Sequence, residues 1–204
     1  MIARAGAALV LAAAGIAHAE PAPAPTPAQA ALDAGDANLA PIADRSGLVF
    51  TGALGGGLMV GFGINDSVGR GGSVSFRLGH VATPRTVIDF ELDVTAALHK
   101  QAENAATATN TETSLLAGAQ YYAHRSLWLR FAGGLGVYQG RDVVLDNGQR
   151  GDQTLVGPAV LAGIGVEIAR FKWAVFGIEA SVSAMFNRDG VLVANGLDVN
   201  LAFD

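Results

Sequence analysis

The chain has 204 residues, enough for one domain with a complete core, and no Cys from which to build a disulfide framework. Its net charge of -5 gives no support for nucleic-acid binding, which wants a clustered basic face. Half of the residues are hydrophobic and 15% are charged, yet no run reaches the roughly 18 apolar residues of a spanning helix. A transmembrane barrel accounts for that combination, because it spreads apolar side chains over alternate positions of many strands.

Residues 1–19 carry a cationic start at Arg4, an apolar segment from Ala5 to Ile16, and Ala17-His18-Ala19 before Glu20. This small-x-small pattern predicts a signal peptide cleaved after Ala19. Residues 20–46 are rich in Pro and Ala, and repeated Pro removes backbone donors and favours extended, unpaired chain, so the segment reads as a periplasmic linker. A short helix over Ala28 to Ala34 is compatible with it.

From residue 47 to 204 the apolar residues fall repeatedly on alternate positions, the period of a strand with two unlike faces. In the first segment Leu54, Leu58, Val60, Phe62 and Ile64 share a parity opposite Gly55, Gly57, Met59, Gly61 and Gly63. The second sets Val74, Phe76 and Leu78 against Ser73, Ser75 and Arg77, and the third sets Ile88, Phe90, Leu92 and Val94 against Asp89, Glu91, Asp93 and Thr95. The fourth sets Leu115, Ala117, Ala119 and Tyr121 against Ser114, Leu116, Gly118 and Gln120. In the fifth Leu127, Leu129, Phe131, Leu135 and Val137 oppose Arg130, Ala132, Gly134 and Gly136. The sixth places Val156, Val160, Ile164, Val166 and Ile168 opposite Gly157, Gly163, Gly165 and Glu167. The seventh places Phe176, Ile178 and Val182 opposite Gly177, Glu179 and Ser181, and the last places Leu197, Val199, Leu201 and Phe203 opposite Asp198, Asn200 and Ala202.

Alternation alone does not say which face points inward; a soluble lipocalin-like barrel would bury the apolar set. The second face decides it, because it is largely Gly, Ala and Ser with isolated charges, where a soluble exterior would be rich in long polar side chains. The apolar face of the strand centres carries no charge, as lipid requires. The predicted fold is therefore all-β, an eight-stranded antiparallel up-and-down transmembrane β-barrel.

The gaps between these segments suggest longer connections at Asn65–Gly71, His99–Thr111, Gln139–Gln153 and Asn187–Asn195, alternating with short turns near Thr83, His124 and Phe171. Such asymmetry is that of outer-membrane barrels, whose even strand count leaves both termini in the periplasm. Tyr121, Tyr122, Trp128, Phe171, Trp173 and Phe203 gather near the periplasmic ends, although Trp128 and Trp173 carry lumen parity.

The export signal, the alternating strands, the small lumen face and the closing run Leu197-Asp198-Val199-Asn200-Leu201-Ala202-Phe203 together resemble the OmpA/OmpX-type family of eight-stranded outer-membrane barrels, over residues 47–204 and for the barrel alone, so the peptidoglycan-binding role of the larger members is not expected. The resemblance implies a bacterial outer-membrane location, contact with outer-membrane lipids, and assembly by the barrel-assembly machinery. That machinery reads a final aromatic residue; here it is Phe203, followed by Asp204.

Charges confined to a narrow lumen must be paired, so an ion-pair network of Arg77, Asp89, Glu91, Asp93, Arg130, Glu167, Glu179 and Asp198 is expected. Reflection about the turns brings Arg77 opposite Asp89 or Glu91, and Arg130 opposite Gln120. The Gly-rich runs lead into no helix that could hold a phosphate, Asp146-Asn147-Gly148 lacks the carboxylates of a calcium loop, and the four His lack metal-ligand spacing. No cofactor, metal or catalytic residue is expected. The leading expectation is a non-enzymatic barrel that stabilises the envelope or presents its outer loops to an unidentified partner. The alternatives are a narrow small-solute or ion channel gated by the lumen ion pairs, and a lipid A-modifying enzyme using His124 and Ser126 in a tight turn.

Overall fold

The computed structural model describes residues 47–64, 68–100, 107–145 and 147–203. The proposed signal peptide and the Pro/Ala-rich stretch with its short helix lie outside these residues. Eight strands follow one another: β1 (Leu48–Phe62), β2 (Gly69–Thr83), β3 (Thr86–Lys100), β4 (Thr107–Tyr122), β5 (Leu127–Val144), β6 (Arg150–Arg170), β7 (Ala174–Asn187) and β8 (Gly190–Phe203). Each pairs antiparallel with its neighbours, and β1 pairs with β8 from Phe50↔Phe203 to Phe62↔Val191, closing an up-and-down barrel without sheet edges over that height.

The faces follow the pleat. Leu54 on the outer wall is 69% exposed and Phe131 65%, whereas Arg130 beside it is wholly buried inside. A continuous exterior of this kind, with Phe76, Phe90, Leu135, Ile164, Val182 and Leu197 all exposed, is an aggregation hazard in water and the required surface in lipid. The barrel is inside out relative to a soluble one.

One end carries the start of β1, the finish of β8 and the turns β2–β3, β4–β5 and β6–β7; we term it the terminal end, and the opposite one the hairpin end. The expected contrast between long and short connections is reduced and fails at β7–β8. The strands run on past the apolar stretches, so β7 and β8 are joined by Arg188 and Asp189 alone, and β5 and β6 leave only residues 145–149 between them. Backbone pairing continues where side chains have become polar on both faces, which is why the alternation fades before the strands end. The register of β6 with β7 begins at Ala159, and the start of β6 from Arg150 runs on beyond the β7–β8 hairpin. Asn187 Nδ2 donates to the Val156 carbonyl at 2.7 Å, and Pro158, two residues on, turns its donorless nitrogen to the same open side.

Ile64 is a second correction. Its parity placed it on lipid, but Gly63 has φ +81°, a left-handed conformation that reverses the facing, and Ile64 is tucked into the core with Met59 and Leu192.

Candidate functional site

The lumen of a barrel with eight strands is just wide enough for side chains to fill, and here they fill it in layers. At the terminal end Trp128 and Tyr122 pack with Val87, and partly with Val81, as an aromatic floor. Gly165 is the direct cross-strand partner of Trp128, and a Cβ there would overlap the indole, so the glycine is what lets the ring lie flat across the barrel. Trp128 therefore plugs the end, while Trp173 stands outside at 64% exposure and stacks on Phe203, ring centroids 5.7 Å apart. Phe50 lies 6.5 Å from Phe203, and Tyr121 and Phe171 are also exposed, making an outer aromatic girdle at the same end.

Above the floor lies the charged layer. The register sets Arg77 opposite Glu91 and Arg130 opposite Gln120. The Arg77 guanidinium donates to Glu91 at 2.9 Å and to Glu179, and its carbon sits 5.9 Å from the centre of the Trp128 ring. Arg130 reaches Asp89 at 3.0 Å and Glu91 at 2.5 Å. Glu91 thus joins both arginines, and five buried groups from β2, β3, β5 and β7 form one unit. Each guanidinium has two carboxylates, the arrangement needed to offset removal of both signs from water.

The other three expected members stand apart. Glu167 accepts from the Tyr122 hydroxyl at 2.9 Å and from Arg170 at 3.0 Å, at the terminal rim. Asp198 accepts from the Ser73 hydroxyl, and Asp93 lines a small cavity with Asp198, Ser73 and Ser181; among the described residues neither acid has a cation within ion-pair distance. Sequence reading also missed Glu112, buried in β4, whose Oε1 accepts from Ser114 at 3.2 Å. Its parity with Ser114 and Leu116 was the available signal.

From mid-height to the hairpin end an apolar cluster of Met59, Leu116, Tyr138, Leu155, Met185 and Leu192 fills much of the lumen, with Asn110 and Glu112 of β4 buried at the same end. The cavity reaching the charged layer from the terminal end holds only about 20 Å³, room on the order of a water molecule.

His124 and Ser126 lie in the β4–β5 turn. Their backbones serve it, His124 N–H donating to the Leu127 carbonyl and Ser126 accepting from Glu167 N–H, and among the described residues no hydrogen bond joins the two side chains. No group of three or more potential metal ligands occurs among the described residues. On the protruding β5–β6 hairpin Arg141 pairs with Asp152 at 2.6 Å and Arg150 with Asp142 at 3.3 Å.

The closed register, the apolar outside and the filled, charged inside together decide the architecture. The chain has the fold of the eight-stranded outer-membrane barrels. It is similar in structure to Ail, the attachment invasion locus protein of Yersinia pestis, solved in complex with the heparin analogue sucrose octasulfate, at a TM-score of 0.57 and 15% identity over 78% of this chain and 100% of that one. It is similar also to Neisserial surface protein A, NspA, at a TM-score of 0.51 and 15% identity over 78% of this chain and 97% of that one. No family model and no curated relative matches the sequence.

Proposed function

We propose that the protein is an integral outer-membrane barrel of the cell envelope with a structural or surface-presenting role, and that it does not conduct. The observation that carries this reading is the blocked lumen, in which an apolar layer at the hairpin end and an aromatic floor bracket five mutually paired charges. Ion passage would require both plugs to part and the network to break together. Reconstitution into planar bilayers tests it. The expected record is flat across a range of voltages; stepwise openings altered by Arg77→Ala would establish the channel instead.

In this reading residues 1–19 export the chain, Phe203 is the aromatic residue read by the barrel-assembly machinery, and the terminal end faces the periplasm. The β5–β6 hairpin is then among the connections the cell presents outward. Ail was solved with a heparin analogue, but the arginines of this hairpin are matched by Asp142 and Asp152, which argues against a polyanion as its partner. The chain has no Cys, so single-cysteine variants report orientation cleanly. Arg188→Cys should react with an impermeant maleimide on intact cells and Arg125→Cys only after lysis; the reverse pattern would invert the topology.

A further inference from the structure

The exposed cations of the barrel differ in what stands beside them. At the hairpin end Arg141, Arg150 and Arg188 each have an aspartate, the last at 3.5 Å, while Arg70, exposed at the start of β2, has no ion-pair partner among the described residues. At the terminal end each turn carries a basic residue, Arg85, Arg125 or Lys172, and residues 82–86, 123–127 and 169–174 contain no carboxylate at all. Arg125 and Lys172 are exposed, and among the described residues neither has an ion-pair partner. Among the described residues the acid close by is Glu167, which is taken up by Tyr122 and Arg170.

These cations sit at the level of the girdle formed by Phe50, Tyr121, Phe171, Trp173 and Phe203. Aromatic rings of this kind settle where acyl chains meet headgroups, and Lys and Arg beside them extend to the same depth. The turns are spaced around the circumference, one between every second pair of strands. A single protein partner would meet one of them; an annulus of lipid meets all three.

We propose that the terminal rim is a docking surface for the phosphates of anionic glycerophospholipids in the adjacent leaflet, with Arg125 and Lys172 as its principal contacts. The proposal rests on the transmembrane reading above. Electrostatic attraction to an anionic surface favours binding by on the order of fivefold per cation and is screened by salt.

The full mature chain, folded into phosphatidylcholine vesicles containing a minority of spin-labelled phosphatidylglycerol, supplies the test. Electron paramagnetic resonance should show the labelled lipid enriched at the protein over labelled phosphatidylcholine. The preference should fall severalfold in the double variant Arg125→Gln, Lys172→Gln and in high salt, and persist in Arg141→Gln, Arg188→Gln. Insertion is read separately from heat-modifiable gel mobility. A chain that inserts without preferring phosphatidylglycerol, or whose preference is lost only with the hairpin-end pair, overturns the rim alone. A chain that never enters the vesicles overturns the transmembrane reading and the rim with it.

Discussion

Trp128 on β5 faces Gly165 on β6, and the indole occupies the space that a side chain at Gly165 would need. The contact is with the rigid benzene side of the ring, so relief requires moving the whole floor, including Arg77 stacked on its face. Gly165→Val should destabilise the barrel by about 1–3 kcal/mol, the usual cost of overpacking. Urea unfolding in vesicles, followed by tryptophan fluorescence, measures it. Gly165→Val combined with Trp128→Ala should recover part of the loss, and failure of the pair to couple would separate the two residues.

The charged layer predicts a different pattern. Removing Arg130 strands Asp89, whose described partner is that guanidinium alone, and leaves Glu91 with Arg77. Arg130→Met should cost about 3–5 kcal/mol, because it leaves an uncompensated charge in the lumen. Adding Asp89→Leu removes the orphan and should restore much of the stability. A double variant no better than the single one would show that the pair is not a unit.

The faces of the barrel were legible because lipid and lumen impose opposite chemistry on alternate residues; Phe131 and Arg130 are neighbours in sequence and sit on opposite sides of the wall. The ends were not. Arg150, Asp152 and Thr154 continue β6 outward with polar side chains, so no apolar marker signals that pairing persists. Ile64 was misplaced because a single positive φ at Gly63 resets the parity. Membership of the network was only half readable: Arg77 and Glu91 are set by the β2–β3 turn, whereas Glu179 reaches Arg77 across the lumen from β7, which local spacing does not encode. Glu167 was assigned to the network by parity alone, but its position at the rim hands it to Tyr122 and Arg170.

Asp152 provides a pH marker on the overhang above the β7–β8 hairpin. Its carboxylate accepts from the Asp142 amide at 3.2 Å and from Arg141 at 2.6 Å, and these two contacts, the amide first, hold its pKa below the ordinary aspartate value. A depressed folded value means the clasp contributes above the unfolded pKa of about 3.9 and is lost as pH falls through the lower folded value. Carboxyl NMR should find Asp152 titrating below that ordinary value, and exchange of the Asp142 amide should rise in Asp152→Asn. A midpoint at or above the ordinary value would contradict the clasp.

Asn195 is a polar residue that the apolar wall does not explain, and Arg70, exposed on β2 opposite Leu58 of β1, is another. Asn195 points outward on β8 between Val193 and Leu197, opposite the same Leu58 and Val182 on β7, and among the described residues its amide has no hydrogen-bond partner. Facing water such an amide is harmless; facing acyl chains it forfeits its hydration, a loss of about 1–3 kcal/mol by protein mutational measures. Asn195→Leu should therefore stabilise the folded barrel in vesicles by an amount at the lower end of that range, with the midpoint of urea unfolding rising and its slope unchanged. The sign is diagnostic of the solvent outside the wall. If the substitution is neutral or destabilising in the bilayer while Leu197→Asn also costs nothing, that stretch of β8 lies above the hydrocarbon, and the apolar band begins lower on this side of the barrel.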